Sequence, residues 1–158
     1  LGDKTGIGNP YAIDLPLPVD ERGWLMATDR AFEGMEVAYS YPTCCFPGVV
    51  KGWHRHEQHE DRMYCVQGLA RVVVAHRRGD ENAQPGSLQT IWYETKEWVI
   101  GPLAPRLVVV PSGWWHGFQA LGNESCVIVN SPDKPYDPGD EEKMELGAIL
   151  FEWRRIDG

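Results

Sequence analysis

Three stretches of the chain are apolar at almost every position. Arg71-Val72-Val73-Val74-Ala75 runs toward the turn-forming Arg78-Gly79-Asp80, Leu107-Val108-Val109-Val110 stops at Pro111-Ser112-Gly113, and Cys126-Val127-Ile128-Val129 is closed by Ser131-Pro132-Asp133. Each is short, rich in β-branched residues and bounded by turn formers, and so predicts a strand. Trp98-Val99-Ile100 before Gly101-Pro102 predicts another, and Val37–Tyr41 and Met63–Val66 carry a fainter version of the same pattern. Helical periodicity is poor nearly everywhere. The acid-rich Asp140–Leu146 predicts a short helix or turn, since acidic residues suit a first helical turn. Many short strands with turns between them predict an all-β sandwich or barrel, the jelly roll included. Residues 1–20 are rich in Pro and Gly and predict an extended arm that pairs with a sheet, of this chain or of a partner subunit. No linker, repeat or low-complexity tract interrupts the sequence, so residues 1–158 are expected to form a single domain.

Composition narrows this picture. A chain of 158 residues with 42% hydrophobic and 24% charged residues can bury one sizeable core. Its net charge of −8 is the wrong sign for a diffuse nucleic-acid surface, although a local Arg or Lys pocket for a small anion stays open. Seven tryptophans bring large apolar area and flat faces that can stack on bases or sugars. No segment approaches the ~20 apolar residues of a membrane helix, and LGDKTGIGNP lacks a secretory layout. Cys44, Cys45, Cys65 and Cys126 form no regular framework and read as reduced thiols, in keeping with a cytoplasmic protein.

The candidate chemistry lies in the histidines. Three are packed into Gly52-Trp53-His54-Arg55-His56-Glu57-Gln58-His59-Glu60-Asp61, and His116 follows Pro111-Ser112-Gly113-Trp114-Trp115. Residues i and i+2 of a strand share a face, so His54 and His56 should point together into a barrel. A later strand entering at Val110-Pro111 would deliver His116 to the same cavity. His59 and His76 read as ordinary histidines of polar strands and loops.

Five segments in the right order resemble the dTDP-4-dehydrorhamnose 3,5-epimerase family of nucleotide-sugar enzymes. Asp20-Glu21-Arg22-Gly23-Trp24-Leu25 is similar to its D-E-R-G-aromatic segment, and Val50-Lys51-Gly52-Trp53-His54 to its L-R-G-L-H segment. Val110-Pro111-Ser112-Gly113-Trp114-Trp115-His116-Gly117-Phe118 is similar to I-P-x-G-x-x-H-G-F. Tyr136-Asp137-Pro138 with Glu141 resembles Y-x-P-x-x-E, and Glu152-Trp153 resembles the E-W near the family's end. The resemblance implies a cupin jelly-roll barrel with short peripheral helix or turn segments, a homodimer, and a nucleotide-diphosphate sugar as substrate. It implies that His54 is the base that removes a proton beside a keto group, that Lys51 stabilises the enolate or holds the substrate, and that His116 lines the same pocket. Arg22 would face the diphosphate, where a guanidinium fork is suited. Arg62, Arg78 and Tyr136 join it as substrate-binding residues. Trp24, and with it Trp53, would either stack on the base or sugar or pack in a core or interface.

The departures from the family pattern shape the expectation. The family's catalytic tyrosine, which acts as acid, falls here at Asn130, or at Val129 with a one-residue shift. Its histidine-orienting aspartate aligns with His76, a second lies in a tail beyond the Glu152-Trp153 match, and its lysine after the histidine falls near Asp61 or Arg62. Double epimerisation could thus give way to single epimerisation, to ketoisomerisation of the kind suggested by His54-Arg55-His56, or to non-catalytic sugar-nucleotide binding. No cofactor is favoured. The alternative is a divalent transition metal, because His54, His56, Asp61, Gly68 and Pro111-x-Gly113-x-x-His116 also resemble the metal-cupin pattern, with His54, His56, Asp61 and His116 as ligands and Glu60 close to the acid's place. That reading implies a metal-dependent oxygenase or isomerase.

Overall fold

The structure, a computed structural model, describes residues 8–79 and 92–153. Asp80 of the expected turn and residues 1–7 of the expected arm lie outside the described residues. In chain order the strands are β1 (Tyr11–Asp14), β2 (Val19–Asp20), β3 (Gly23–Trp24), β4 (Tyr41–Cys45), β5 (Val50–His56), β6 (Asp61–Gln67), β7 (Leu69–Arg78), β8 (Trp92–Ile100), β9 (Arg106–Val110), β10 (Trp115–Leu121), β11 (Cys126–Asn130) and β12 (Glu141–Lys143). They make two five-stranded sheets, ordered β1-β9-β6-β11-β4 and β12-β5-β10-β7-β8, with β2 and β3 as a separate hairpin. The strands of both sheets pair antiparallel.

The period of two explains why the apolar runs are continuous. Val72 and Val74 of β7 and Val108 and Val110 of β9 face one another's sheets in the central core, with Met63, Cys65, Ile100, Phe118, Cys126 and Ile128. The alternate residues point outward and are covered as well. Val73 and Ala75 pack under Ile149, Phe151 and Trp153 from the C-terminal segment. Leu107 and Val109 pack under Leu15, Met26, Ala31 and Phe32 from the N-terminal segment. β7 and β9 are thus covered on both faces, and the architecture is the expected all-β jelly roll. All four cysteines are free thiols, with Cys45, Cys65 and Cys126 buried.

Two expectations are corrected. Val37–Tyr41 is not a strand: the ladder begins only at Tyr41, and upstream of it Ala38 N–H bonds to the Pro132 carbonyl. The strand instead continues through Pro42, which is tolerated because β4 is the edge of its sheet. Asp140–Leu146 is not helical either. Pro138–Asp140 is one 3₁₀ turn, and Glu141–Lys143 adds to the open edge of β5, where Arg55 bonds Glu142 at 2.9 Å. So short a segment gains more from a ready-made ladder than from nucleating a helix. In the expected arm, Tyr11–Asp14 pairs with β9 of its own chain, in the register Tyr11↔Val109.

Glycines set two close approaches. Gly68, in the tight β6–β7 connection, has φ +70°, and a Cβ there would lie 2.5 Å from the Ser125 carbonyl oxygen. Gly52 and Gly117 face each other across β5 and β10, where a Cβ on Gly52 would meet the Gly117 Cα at 2.9 Å. This contact sits beside a register shift in β10 and brings His54 directly opposite His116.

Candidate active site

One cavity, of about 260 Å³, opens between the two sheets. Lys51, His54, His56, His116, Phe118 and Glu141 line it from the β5–β10–β12 side, and Tyr39, Tyr41, Thr43, Met63 and Asn130 from the other. The alternation along β5 puts His54 and His56 on this face, as expected, and pairing with β10 adds His116. The His54 and His116 ring centroids are 6.2 Å apart, and those of His56 and His116 are 5.6 Å apart.

His54 Nδ1 lies 3.0 Å from Glu141 Oε1. Burial alone would raise the Glu141 carboxyl, but Lys143 and His54 hold it below its ordinary range, so it is ionised and accepts. The proton of a neutral His54 therefore sits on Nδ1, and Nε2 keeps its lone pair. Lys51 Nζ donates to Thr43 Oγ1 at 3.1 Å, and among the described residues no carboxylate neutralises its charge.

Deeper in the cavity wall is a buried charge cluster. Asp61 is buried, which would raise its carboxyl, yet His59, His116, Asn130 and His56 hold it well below the carboxylate range. Its oxygens lie 3.4 Å from His59 Nε2, 3.3 Å from His116 Nε2 and 3.7 Å from His56 Nε2. Burial pushes His116 down to about 4 and His56 in the same direction. His59 behaves oppositely. Burial works against its charge, but Asp61 on one ring nitrogen and Asp140, 3.1 Å from the other, raise it. Asp140 is itself fixed by the backbone N–H groups of Glu57 and Gln58, at 2.9 and 3.1 Å.

The structure brings His54, Lys51, His116 and Tyr136 together. It does not bring the other sequence-predicted substrate residues into this cavity. Arg22 and Trp24 stand on the exposed β2–β3 hairpin, where Arg22 pairs with Asp20. Arg62 is buried and committed to Glu60 at 2.8 Å and to the Glu36 carbonyl. Arg78 pairs with Glu94 at 2.7 Å. Trp53 is fully buried and packs on Phe151 and Trp153, so it is a core residue and not a stacking platform. His59 overturns its solvent-facing reading: it is buried, stacked on His56 at 3.9 Å and clamped by two carboxylates. His76 packs against Trp114 away from the cavity. Of the expected metal set, His56, Asp61 and His116 place ligand atoms within 4.8 Å of one another, while His54 is not part of that group. Sequence reasoning missed Tyr41, Asn130's partners and the His54–Glu141 pair; only the place of Glu141 in the Y-x-P-x-x-E match signalled any of them.

No protein-family model matches the chain. It is 34% identical over 137 residues to the probable low-salt glycan biosynthesis epimerase Agl13 of Haloferax volcanii, covering 84% of this chain and 83% of that protein. It is 28% identical over 140 residues to the spore coat polysaccharide biosynthesis protein SpsL of Bacillus subtilis, covering 85% and 87%. Among solved structures, a dTDP-sugar isomerase from Desulfovibrio desulfuricans G20 superposes with a TM-score of 0.76 at 22% identity, over 93% of this chain and 92% of that one, a likeness of fold. No helix among the described residues is long and apolar enough to cross a membrane. The segments quoted above, the two-sheet fold and the 34% relative agree: the chain belongs to the family of dTDP-4-dehydrorhamnose 3,5-epimerase and related sugar epimerases and isomerases.

Proposed function

We propose that this protein is a nucleotide-sugar epimerase that acts on a dTDP-4-keto-6-deoxysugar by removing a proton from a carbon next to the keto group. The observation that carries the reading is the His54–Glu141 pair, 3.0 Å apart, at a cavity that also holds the Lys51 ammonium. A 4-keto group acidifies the neighbouring C–H bonds. His54 Nε2 accepts the proton, and the ionised Glu141 on Nδ1 stabilises the imidazolium that forms. Lys51 meets the negative charge that develops on the keto oxygen. The cavity, about 260 Å³, is smaller than typical pockets for drug-sized ligands of ~300–1,000 Å³. In this reading it takes the sugar ring and leaves the diphosphate and base outside.

Incubation of a dTDP-4-keto-6-deoxysugar with the protein in D₂O is expected to place deuterium at C3, C5 or both, read by NMR. Exchange at one carbon alone identifies a single-site epimerase. Nucleotide-sugar binding without exchange above the buffer rate would reassign the protein as a non-catalytic binder.

A second reading has one observation in its favour, the convergence of His56, Asp61 and His116. Two neutral imidazoles and one carboxylate suit a divalent transition ion. Such an ion would supply Lewis-acid polarisation of a carbonyl oxygen, with His54 outside its coordination. Under the metal-independent reading, dialysis against a chelator leaves both exchange rate and melting temperature unchanged. Loss of both, restored by one equivalent of metal per chain, would move the assignment to the second reading.

A further inference from the structure

We propose that Tyr41 is the general acid of this site, delivering a proton to the face of the sugar opposite the one that His54 deprotonates; this rests on the epimerase reading above. Inversion at a carbon needs a proton removed on one side and returned on the other. The cavity has the walls for this. His54 belongs to β5 in one sheet, and Tyr41 to β4 in the facing sheet, and both line the space between them.

The hydrogen-bond network decides which way the Tyr41 proton points. β11 pairs with β4 so that Asn130 stands directly opposite Tyr41. Asn130 Oδ1 accepts the backbone N–H of Arg62 at 2.9 Å, which fixes the orientation of the amide. Its Nδ2 then donates twice, to Asp61 Oδ1 at 2.6 Å and to Tyr41 Oη at 3.0 Å. The first of these requires a donor, because an ionised carboxylate only accepts. Both amide hydrogens are thereby used, and the phenol oxygen receives one of them. Tyr41 therefore cannot donate back to Asn130, and among the described residues no acceptor takes its hydrogen. The O–H is left for a ligand in the cavity.

The surroundings suit an acid. Burial raises the phenol above its ordinary value, and the charges of Asp61 and Glu141 add to this, so Tyr41 holds its proton at neutral pH. The bond from Asn130 acts in the other direction and is retained by the phenolate, so it stabilises the product of proton donation. Tyr39, stacked at 5.7 Å, holds the ring in place. In the step itself the substrate C–H proton passes to His54 Nε2 and leaves an enolate. The carbon then takes the Tyr41 Oη proton on its other face, the C–H bond forms, and the phenolate remains against Asn130. The imidazolium loses its proton and the phenolate regains one through solvent, so no oxidant, reductant or further reactant is needed. Asn130 is a positioning residue in this scheme.

The test follows the two proton transfers separately in D₂O with a dTDP-4-keto-6-deoxysugar. Tyr41→Phe is expected to keep deuterium exchange on the substrate face within a few-fold of wild type, while formation of the inverted product falls ~10²-fold or more. Tyr11→Phe, which removes an exposed phenol on β1 outside the cavity, should leave inversion near the wild-type rate. Replacement of Tyr41 by a fluorotyrosine of lower phenol pKa should move the alkaline limb of the inversion pH profile downward, and it keeps the hydroxyl if the Phe variant folds poorly. Inversion by Tyr41→Phe at the wild-type rate overturns the proposal, as does an equal loss of exchange and inversion in a folded variant, or an unmoved alkaline limb. If wild type shows no exchange at all, the epimerase reading has failed and not the assignment of Tyr41 within it.

Discussion

His54→Ala is expected to lower hydrogen exchange beside the keto group by ~10²–10⁴-fold, the usual worth of general-base assistance. The loss should be near the upper part of that range because no neighbour can take over. His116 stands opposite on β10, but burial pushes it down to about 4, so it is a weak base, and His56 is shifted in the same direction. His59 is clamped between Asp140 and Asp61, one on each ring nitrogen, so both nitrogens are already engaged. Glu141→Gln keeps the shape and removes the charge behind His54, so its exchange rate should fall between those of wild type and His54→Ala. Ground-state affinity for the nucleotide sugar should change little, because the base acts mainly in the transition state. Exchange by a folded His54→Ala protein within tenfold of wild type would remove His54 from the role of base.

Asp61→Ala should have the largest effect on stability, a loss of about 3–5 kcal/mol. The carboxylate is buried, and its charge faces the His59 ring nitrogen at 3.4 Å and the Asn130 amide at 2.6 Å. Its removal leaves His59 with the Asp140 carboxylate and strands an amide hydrogen of Asn130 without a partner. At roughly 2–4 °C per kcal/mol for a chain of this size, the melting temperature should drop by ~10 °C. Pairing Asp61→Asn with His59→Gln replaces the carboxylate and its imidazole partner with neutral amides and should recover much of the loss, which separates charge from packing. An Asp61→Ala protein that melts within about 2 °C of wild type would show that the cluster contributes little.

The parts of this fold that could be read in advance are those in which every position carries the same message. In β7 and β9 both faces are covered, so Val72-Val73-Val74-Ala75 and Leu107-Val108-Val109-Val110 are apolar throughout and announce themselves as strands. β12 is different. Glu141-Glu142-Lys143 has no apolar face, and its conformation comes from the free edge of β5, which local sequence does not describe. The same limit applies at the site. His54, His56 and His116 were legible because strand alternation and a motif frame pointed them into one cavity. His59 lies in an all-polar stretch and read as solvent-facing, yet Asp61 and Asp140 bury it by satisfying both ring nitrogens. Tyr41 offered no local sign. Its neighbour Asn130 is distant in sequence and meets it only through the β4–β11 pairing.

The covering of both sheets by the two ends of the chain bears on how the protein is made. β1 pairs with β9, and Leu15, Met26 and Phe32 pack against Leu107 and Val109, with Tyr64 of β6 beside them. A growing chain emerges N-terminus first, so these residues leave the ribosome long before the strand that receives them. Pairings this far apart in sequence close slowly, because much of the loop entropy is lost before any contact repays it. Until then the early segments are exposed apolar surface. A ribosome-stalled chain ending before Arg106 should therefore be open to protease and to chaperone capture along residues 11–35, and should become protected there only once residues 106–110 have cleared the exit tunnel.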